Sequence, residues 1–181
     1  MQRFGKELLR KRGKTVGRFD SRYTGIDADN AGETPEYDAN AESVFGAYTA
    51  TINDYLRTEL KVEDDRVYEI IAGVQPWKYA RFESRWPDAT DTLRQTMSAN
   101  PYTKLFVAGG YYDLATPPAT VNYSVEHMRL PKDLQKNITF GLYEGGHMMY
   151  VYEPSLKRLR DDLEKFYRET LTKGAAEKPA Q

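Results

Sequence analysis

The 181-residue chain contains no cysteine, and this absence excludes several kinds of chemistry. Without thiols there can be no disulfide bond, no thiolate zinc site and no cysteine nucleophile. Histidine is almost as scarce, because His127 and His147 are the only two, and they lie far apart without the spacing of metal ligands. We therefore expect neither a metal nor another cofactor.

The chain also lacks a surplus of either charge and any long apolar run. Its 26 basic and 27 acidic side chains give a formal charge of −1, whereas a nucleic-acid-binding domain has a basic surplus. No apolar stretch approaches the ~20 residues needed to span a membrane. The basic first residues include no apolar segment, so no signal peptide is predicted. An apolar content of 40% is enough for a folded core.

Residues 104–150 contain the most informative pattern, in which two short apolar runs each precede a polar side chain. Leu105–Ala108 predicts a parallel strand buried on both faces, and two glycines and then Asp113 follow it. Ile138–Tyr143 predicts a second strand, after which two glycines precede His147. Open α/β sheets carry their chemistry at the carboxyl ends of parallel strands, so we expect Asp113 and His147 to lie within hydrogen-bond distance.

The segment between these strands predicts a helix that Thr116 caps and that has Pro117 at its first position. His147 has the side chain whose proton equilibrium lies near neutrality, as a general base requires. Asp113 would accept a hydrogen bond from the imidazole and fix its tautomer. A carboxylate in a turn and a lone histidine also have purely structural explanations, and we assign His127 to such a role.

The residue strings of both turns resemble those of a known protein fold family. Gly110-x-x-Asp113-x-x-x-Pro117 followed by Gly146-His147 resembles the acid and histidine turns of an α/β-hydrolase, where the triad runs nucleophile, acid, histidine. The fuller strings Gly-Tyr-Tyr-Asp-Leu-Ala-Thr-Pro and Glu-Gly-Gly-His-Met-Met-Tyr resemble the bacterial branch of the serine carboxypeptidase family. The upstream strings Val-Gly-Arg-Phe-Asp-Ser-Arg-Tyr-Thr-Gly and Ala-Gly-Glu-Thr-Pro-Glu-Tyr-Asp resemble it too. The likeness covers residues 3–167 but only the carboxyl-terminal part of the family's pattern.

This resemblance implies an α/β fold made of the carboxyl-terminal portion of an α/β-hydrolase sheet, with parallel strands and flanking helices, plus part of a helical lid or cap. Residues 1–90 would form the lid or cap segment and its connection, residues 91–172 the core portion, and residues 173–181 a disordered tail. The family implies a periplasmic or secreted enzyme.

The implied reaction is release of C-terminal amino acids from peptides through a Ser–His–Asp mechanism, with Asp113 as the acid and His147 as the base. Met148 and Tyr112 would contact the peptide substrate. The expected partners are that substrate and the missing amino-terminal half of the hydrolase, with no nucleic acid and no membrane span.

The nucleophile of such a triad is absent, because no serine stands in a Gly-x-Ser-x-Gly turn. The chain as given is therefore expected to be inactive alone. Two alternatives remain open: another α/β-hydrolase, such as an esterase or aminopeptidase, and a truncated protein that only binds a partner. A glutamate directly before the nucleophilic serine in the upstream half would identify the carboxypeptidase branch.

Periodicity predicts the remaining elements. These are an amphipathic helix at 2–12 with Phe4, Leu8 and Leu9 on one side, a short strand at 16–19, a loop at 20–40 as a candidate lid segment, a helix at 41–60, a strand at 67–71, a helix at 91–99, and a last helix that begins at Glu153 and has one apolar stripe of Leu156, Leu159, Leu163 and Phe166.

Overall fold

The computed structural model describes residues 2–29, 31–66, 68–70, 76, 78–79 and 87–176. These residues form a mixture of helices and strands with one small antiparallel and one small parallel sheet. The chain divides into two compact units, of which the first comprises Met1–Arg18 and Arg22–Pro87 and the second Phe19–Ser21 and Asp88–Gln181. No described helix is long and apolar enough to cross a membrane. The assignment of residues 1–90 to a lid or cap stays a prediction.

The first unit is a helix and a two-stranded antiparallel sheet followed by a long helix. Its elements are α1 (Gln2–Leu9), a 3₁₀ turn (Arg10–Arg12), β1 (Lys14–Val16), β2 (Thr24–Ile26) and α2 (Ala39–Thr58). Gly13 ends the 3₁₀ turn in the left-handed region at φ +62°. Asp38 caps α2 by accepting the backbone N–H groups of Asn40 and Ala41, each at 3.0 Å.

Several sequence predictions for this unit are wrong in detail. The strand predicted at 16–19 lies earlier, at 14–16, where it forms β1. The predicted loop at 20–40 contains β2 and the first residues of α2. Helix α2 begins two residues before the predicted Ala41 because Asp38 is the cap. The apolar side of α1 is not its buried side, since Phe4 is 51% and Leu8 53% exposed. The predicted strand at 67–71 has both ends outside the described residues, and residues 68–70 are not in a strand.

Lys6 is the side chain that α1 buries. Its ammonium group lies 3.1 Å from one carboxylate oxygen of Asp27 and 3.3 Å from the other, and it donates to the Thr34 carbonyl oxygen at 3.2 Å. The side chains of Lys6 and Asp27 are 1% and 3% exposed. A buried charge is tolerated only where it is paired, so this ion pair fixes α1 against the segment after β2.

The second unit surrounds a parallel pair of strands. Its elements are α3 (Thr90–Ala99), β3 (Leu105–Gly110), α4 (Pro118–Glu126), α5 (Lys132–Gln135), β4 (Ile138–Tyr143), a 3₁₀ turn (Met149–Val151) and α6 (Glu153–Ala176). Strands β3 and β4 are parallel, with Leu105 opposite Ile138 and Gly110 opposite Tyr143. Both predicted strands are confirmed, with β3 continuing to Gly110, and the predicted helix at 91–99 is confirmed as α3.

Helices pack against both faces of this small sheet, without covering all of it. On one face Met97, Met128 and Leu130 form the buried core, against which partly buried side chains of α3, α4, α5 and both strands pack. The partly buried side chains of this first face are Leu93, Leu105, Val125, Leu134 and Ile138. On the other face the Phe106 ring lies 5.4 Å from the ring of Phe166 on α6.

Tyr143, at the end of β4, is fully buried. Its hydroxyl donates to Asp162 of α6 at 2.9 Å. Burial and this hydrogen bond to a carboxylate together raise the pKa of Tyr143 to about 12. The phenol therefore stays protonated and tethers α6 to the end of the strand.

Four details of this unit differ from prediction. Helix α4 begins at Pro118 with Pro117 as its N-cap, so Thr116 does not cap it, and α5 was not predicted. Strand β3 is not buried on both faces, since Ala108 is exposed and its neighbours are half-buried. The cause is that Val107, Ala108 and Gly109 line a cavity, so no packing layer covers this part of the strand. Helix α6 continues to Ala176 rather than giving way to a tail at residue 173, and its Leu156 is 49% exposed.

Lys6→Ala should lower the free energy of unfolding by about 3–5 kcal/mol, because the Asp27 carboxylate would stay buried without its partner. Arg3→Ala is the matched control. It breaks an ion pair between Arg3 of the same helix and Glu33, in which both side chains are largely exposed, and it should lower the free energy of unfolding by ~0–1 kcal/mol. Urea unfolding of both variants measures the difference. Equal losses would show that the buried pair has no special weight.

The chain should self-associate, because the outer edges of β3 and β4 carry no paired strand in the described structure. Sedimentation velocity should detect oligomers, and Phe140→Lys should reduce them by placing a charge on an apolar side chain of β4 that is 47% exposed. Tyr102→Lys makes the same change of charge at a residue outside the strands and should leave association unchanged. A monodisperse monomer of the parent chain would contradict this expectation.

Candidate active site

Two turns lie side by side at the carboxyl ends of β3 and β4. The hydrogen bonding of the sheet continues past the strands, because the Tyr111 N–H donates to the Tyr143 carbonyl at 3.0 Å and the Tyr112 N–H to the Gly145 carbonyl at 2.9 Å. Asp113 follows directly on one turn and His147 on the other. The register of the strands therefore sets the distance between acid and base.

Glycines allow this close approach. A Cβ atom on Gly110 would lie 2.6 Å from the Gly145 carbonyl oxygen and closer still to that of Gly146, so any other residue there would push the two turns apart. Gly145 has φ +142°, a conformation that other L-residues rarely adopt. Of the two glycines that precede His147, Gly145 is therefore the one whose backbone conformation favours glycine.

Asp113 is 4% exposed, and each of its carboxylate oxygens accepts two hydrogen bonds. Oδ1 accepts the backbone N–H groups of Ala115 at 2.7 Å and Thr116 at 2.9 Å. Oδ2 accepts from Nδ1 of His147 at 2.8 Å and from the Thr116 hydroxyl at 3.1 Å. The predicted contact between Asp113 and His147 is confirmed, and a carboxylate held at both oxygens is suited to orienting a partner.

The contact fixes the proton on the imidazole. An ionised carboxylate only accepts hydrogen bonds, so Nδ1 of His147 is the nitrogen that donates, and in the neutral ring Nε2 then has the lone pair. The His147 side chain is 44% exposed, and no described residue hydrogen-bonds its Nε2. The ring therefore has the tautomer and the free nitrogen that a general base requires.

Thr116 belongs to the site, although the sequence suggested only a helix cap. Its hydroxyl donates to Oδ2 of Asp113 and lies 3.0 Å from Nδ1 of His147, so it contacts both members of the pair. Its position three residues after Asp113 was visible in the sequence. The signal was misread because a threonine before Pro-Pro also fits a capping position.

Phe19–Ser21 is the second contributor that sequence reasoning missed. The His147 backbone N–H donates to the Phe19 carbonyl at 2.6 Å, and the Ser21 N–H donates to the Tyr112 carbonyl at 2.9 Å. The Phe19 ring lies 5.4 Å from the imidazole with a tilt of 40°. These residues stand in the Gly-Arg-Phe-Asp-Ser string that carried part of the family resemblance, which was the available signal.

The other predicted residues lie near the pair without joining it. The backbone N–H of Tyr112 hydrogen-bonds to the histidine turn at Gly145, whereas the residue as a whole is 37% exposed. Met148 is half-buried directly after His147, and the neighbouring Met149 is the buried one. The substrate contacts assigned to Tyr112 and Met148 stay predictions. The ring of His127, the C-cap residue of α4, stacks on that of Tyr123 with centroids 3.8 Å apart, which fits its assignment to a structural role.

An apolar cavity of about 300 Å³ adjoins the pair. Its walls are residues 107–109 of β3 and 140–142 of β4, with Pro118 and Val121 of α4, and its polar lining includes Asp113 and His147. An imidazole at the rim of an apolar cavity can accept a proton from a group that is held there.

No serine hydroxyl in the described part of the chain hydrogen-bonds to this imidazole. Ser43, Ser124 and Ser155 each donate to a backbone carbonyl within their own surroundings, at 2.6, 2.9 and 2.6 Å. The described residues also contain no cluster of three or more side chains that could hold a metal ion. The site can orient and accept a proton, and no nucleophile hydrogen-bonds to the base among the described residues.

Comparison of the chain with protein-family models, with curated proteins and with solved structures found no match.

Gly110→Ala should separate Asp113 from His147, because the added methyl group meets the carbonyl oxygens of the histidine turn. Gly109→Ala is the matched control, since the nearest atom to its Cβ would be Leu142 Cδ1 at 3.9 Å, an ordinary contact. Nitrogen-15 NMR of the histidine rings measures the outcome. The protected Nδ1–H signal of His147 should disappear in Gly110→Ala and persist in Gly109→Ala, and persistence in both would contradict the close-approach argument.

Proposed function

We propose that this chain supplies the acid and the base of a serine carboxypeptidase-like hydrolase with an α/β-hydrolase fold. In this proposal Asp113 orients His147, and His147 is the general base. The nucleophilic serine and the oxyanion hole come from a part of the enzyme that the 181 residues do not include.

The observation that carries the proposal is the 2.8 Å hydrogen bond between Oδ2 of Asp113 and Nδ1 of His147. The acid follows β3 and the histidine follows β4, which is the chain order of acid and base in the α/β-hydrolase triad. The remaining acceptor sites of Asp113 are filled by backbone and Thr116 donors. This leaves the carboxylate the supporting role that a triad acid performs.

The incomplete packing supports the same proposal. A parallel sheet in an α/β protein is normally covered on both faces and paired on both sides, yet β3 has one partner strand in the described structure and Ala108 is exposed. Large apolar side chains are also exposed on both units, as at Phe4, Phe140 and Leu171. A missing half of the sheet would cover surface of this kind.

The proposed reaction proceeds through an acyl-enzyme. Nε2 of His147 takes the proton of the serine hydroxyl as its oxygen attacks the last peptide carbonyl, and the imidazolium then gives that proton to the leaving amino acid. A water molecule, deprotonated by the same nitrogen, then attacks the ester carbonyl. The imidazolium returns the proton to the serine oxygen as the ester bond breaks and the shortened peptide leaves. Asp113 stays ionised throughout and stabilises the imidazolium.

Other features of the proposed enzyme rest on the sequence resemblance. Residues 1–90 would contribute to the lid or cap, and Tyr112 and Met148 to peptide binding. The complete enzyme would act in the periplasm or outside the cell.

Turnover of an N-blocked dipeptide tests the proposal. The chain alone should give no measurable hydrolysis, because a base without a placed serine and oxyanion hole has nothing to activate. Co-expression with an upstream half that carries a Gly-Glu-Ser-x-Gly turn should give release of the C-terminal amino acid. In that complex His147→Ala should abolish turnover, and Asp113→Asn should lower it by about 10⁴, as in serine proteases.

His127→Ala is the control, because this histidine stacks on Tyr123 away from the pair and its loss should leave turnover near the parental rate. Near-parental rates in both the Asp113 and His147 variants would contradict the site assignment. Hydrolysis of esters or of N-terminal residues, but not of the blocked dipeptide, would point to another α/β-hydrolase. Complete inactivity of a stably formed complex would favour a protein that only binds a partner.

A further inference from the structure

We infer that Phe19, Asp20 and Ser21, here called the strap, are a positioning element for the catalytic imidazole. The three residues are separated in sequence from His147 by most of the chain, yet they pack with the unit that holds it. Among the described residues before Asp88, these three alone belong to this unit.

The strap joins the two turns of the site through main-chain atoms. At one end the Phe19 carbonyl oxygen accepts the backbone N–H of His147 at 2.6 Å, and at the other the Ser21 N–H donates to the carbonyl of Tyr112 at 2.9 Å. Tyr112 directly precedes Asp113. The strap is therefore hydrogen-bonded to the residue that carries the base and to the neighbour of the residue that carries the acid.

The strap also contacts the imidazole itself. The centroid of the Phe19 ring lies 5.4 Å from that of His147, within the range of favourable aromatic contacts. Asp113 and Thr116 hold only the Nδ1 corner of the imidazole. Rotation about the second side-chain torsion of histidine is broad, so a ring held at one corner can swing. The Phe19 side chain restricts this rotation and keeps Nε2 aimed in one direction.

Gly146 makes room for the strap. A Cβ atom there would lie 2.5 Å from Asp20 Cβ and 2.6 Å from Asp20 Cα, and closer still to the Phe19 carbonyl oxygen. Asp20 itself is 6% exposed. The second glycine of the histidine turn is thus needed because a backbone segment from elsewhere in the chain crosses it, rather than for its own conformation.

A positioning element should change how the imidazole holds its proton, and this can be measured on the chain as it exists. With two histidines in the sequence, nitrogen-15 labelling of histidine gives two ring systems, and His127→Ala assigns them. In the parent chain His147 should be the Nδ1–H tautomer with a protected proton. In Phe19→Ala that proton should exchange with water on the order of tenfold faster, the equivalent of losing about one net hydrogen bond, and the tautomer should shift toward Nε2–H.

Phe106→Ala is the matched control, since it removes a phenyl ring that also lies 5.4 Å from another ring, on α6. It loosens the packing of the same unit without touching the imidazole, so the His147 proton should exchange at the parental rate. Parental exchange and tautomer in Phe19→Ala would overturn the inference, and so would an equal change in both variants. If either alanine variant fails to fold, the Phe19→Leu and Phe106→Leu pair is compared by the same criteria.

The effect on catalysis rests on the proposed function. In the complex with an upstream half, Phe19→Ala should lower kcat by up to about 10²-fold with little change in KM, because a misaimed base affects the chemical step more than binding. A complex without any hydrolytic activity would count against the proposed function and leave the NMR result standing. An active complex in which Phe19→Ala keeps the parental kcat would count against the strap alone.

Discussion

The parallel register of β3 and β4 is the constraint on which the site depends. With Gly110 opposite Tyr143, the two strands end level with each other, and the hydrogen bonds beyond them keep the following turns in contact. A shift by one residue would turn every side chain of one strand to the other face of the sheet. It would also move Asp113 out of line with His147. The geometry of the proposed acid and base is thus set by backbone pairing before any side chain of the site makes a contact.

The sequence predicted those parts of the structure that local pattern controls. Strand β4, helix α3 and the contact between Asp113 and His147 follow from short apolar runs, glycine pairs and the order of the turns. What sequence reasoning missed depends on contacts between distant residues. Phe19 reaches His147 only in the folded chain, and the burial of Lys6 depends on Asp27, which lies in a different segment. Period and spacing within one segment carry no information about such partners.

The polar groups of the site have their hydrogen-bond partners, whereas the sheet beside the site is incompletely paired and packed. Around Asp113 nearly every polar atom has a partner, whereas the sheet beside it has one strand pair and an open apolar cavity. The order of the acid and base turns therefore comes from hydrogen bonds within and between the loops. It does not require a large core, since the fully buried cluster of the unit is only Met97, Met128 and Leu130. Hydrogen bonds between two short turns are therefore enough to hold this acid–imidazole pair together.

The crossing at Gly146 has a consequence for how this protein can change over generations. Every single-base change in a glycine codon that alters the amino acid introduces a Cβ atom. At this position each such neighbour collides with the backbone of Phe19 and Asp20, so no one-step amino-acid replacement is sterically neutral. Drift at Gly146 would require a simultaneous change in a segment encoded more than a hundred codons earlier. We therefore expect position 146 and positions 19–20 to covary: a replacement at one requires a compensating change in the other.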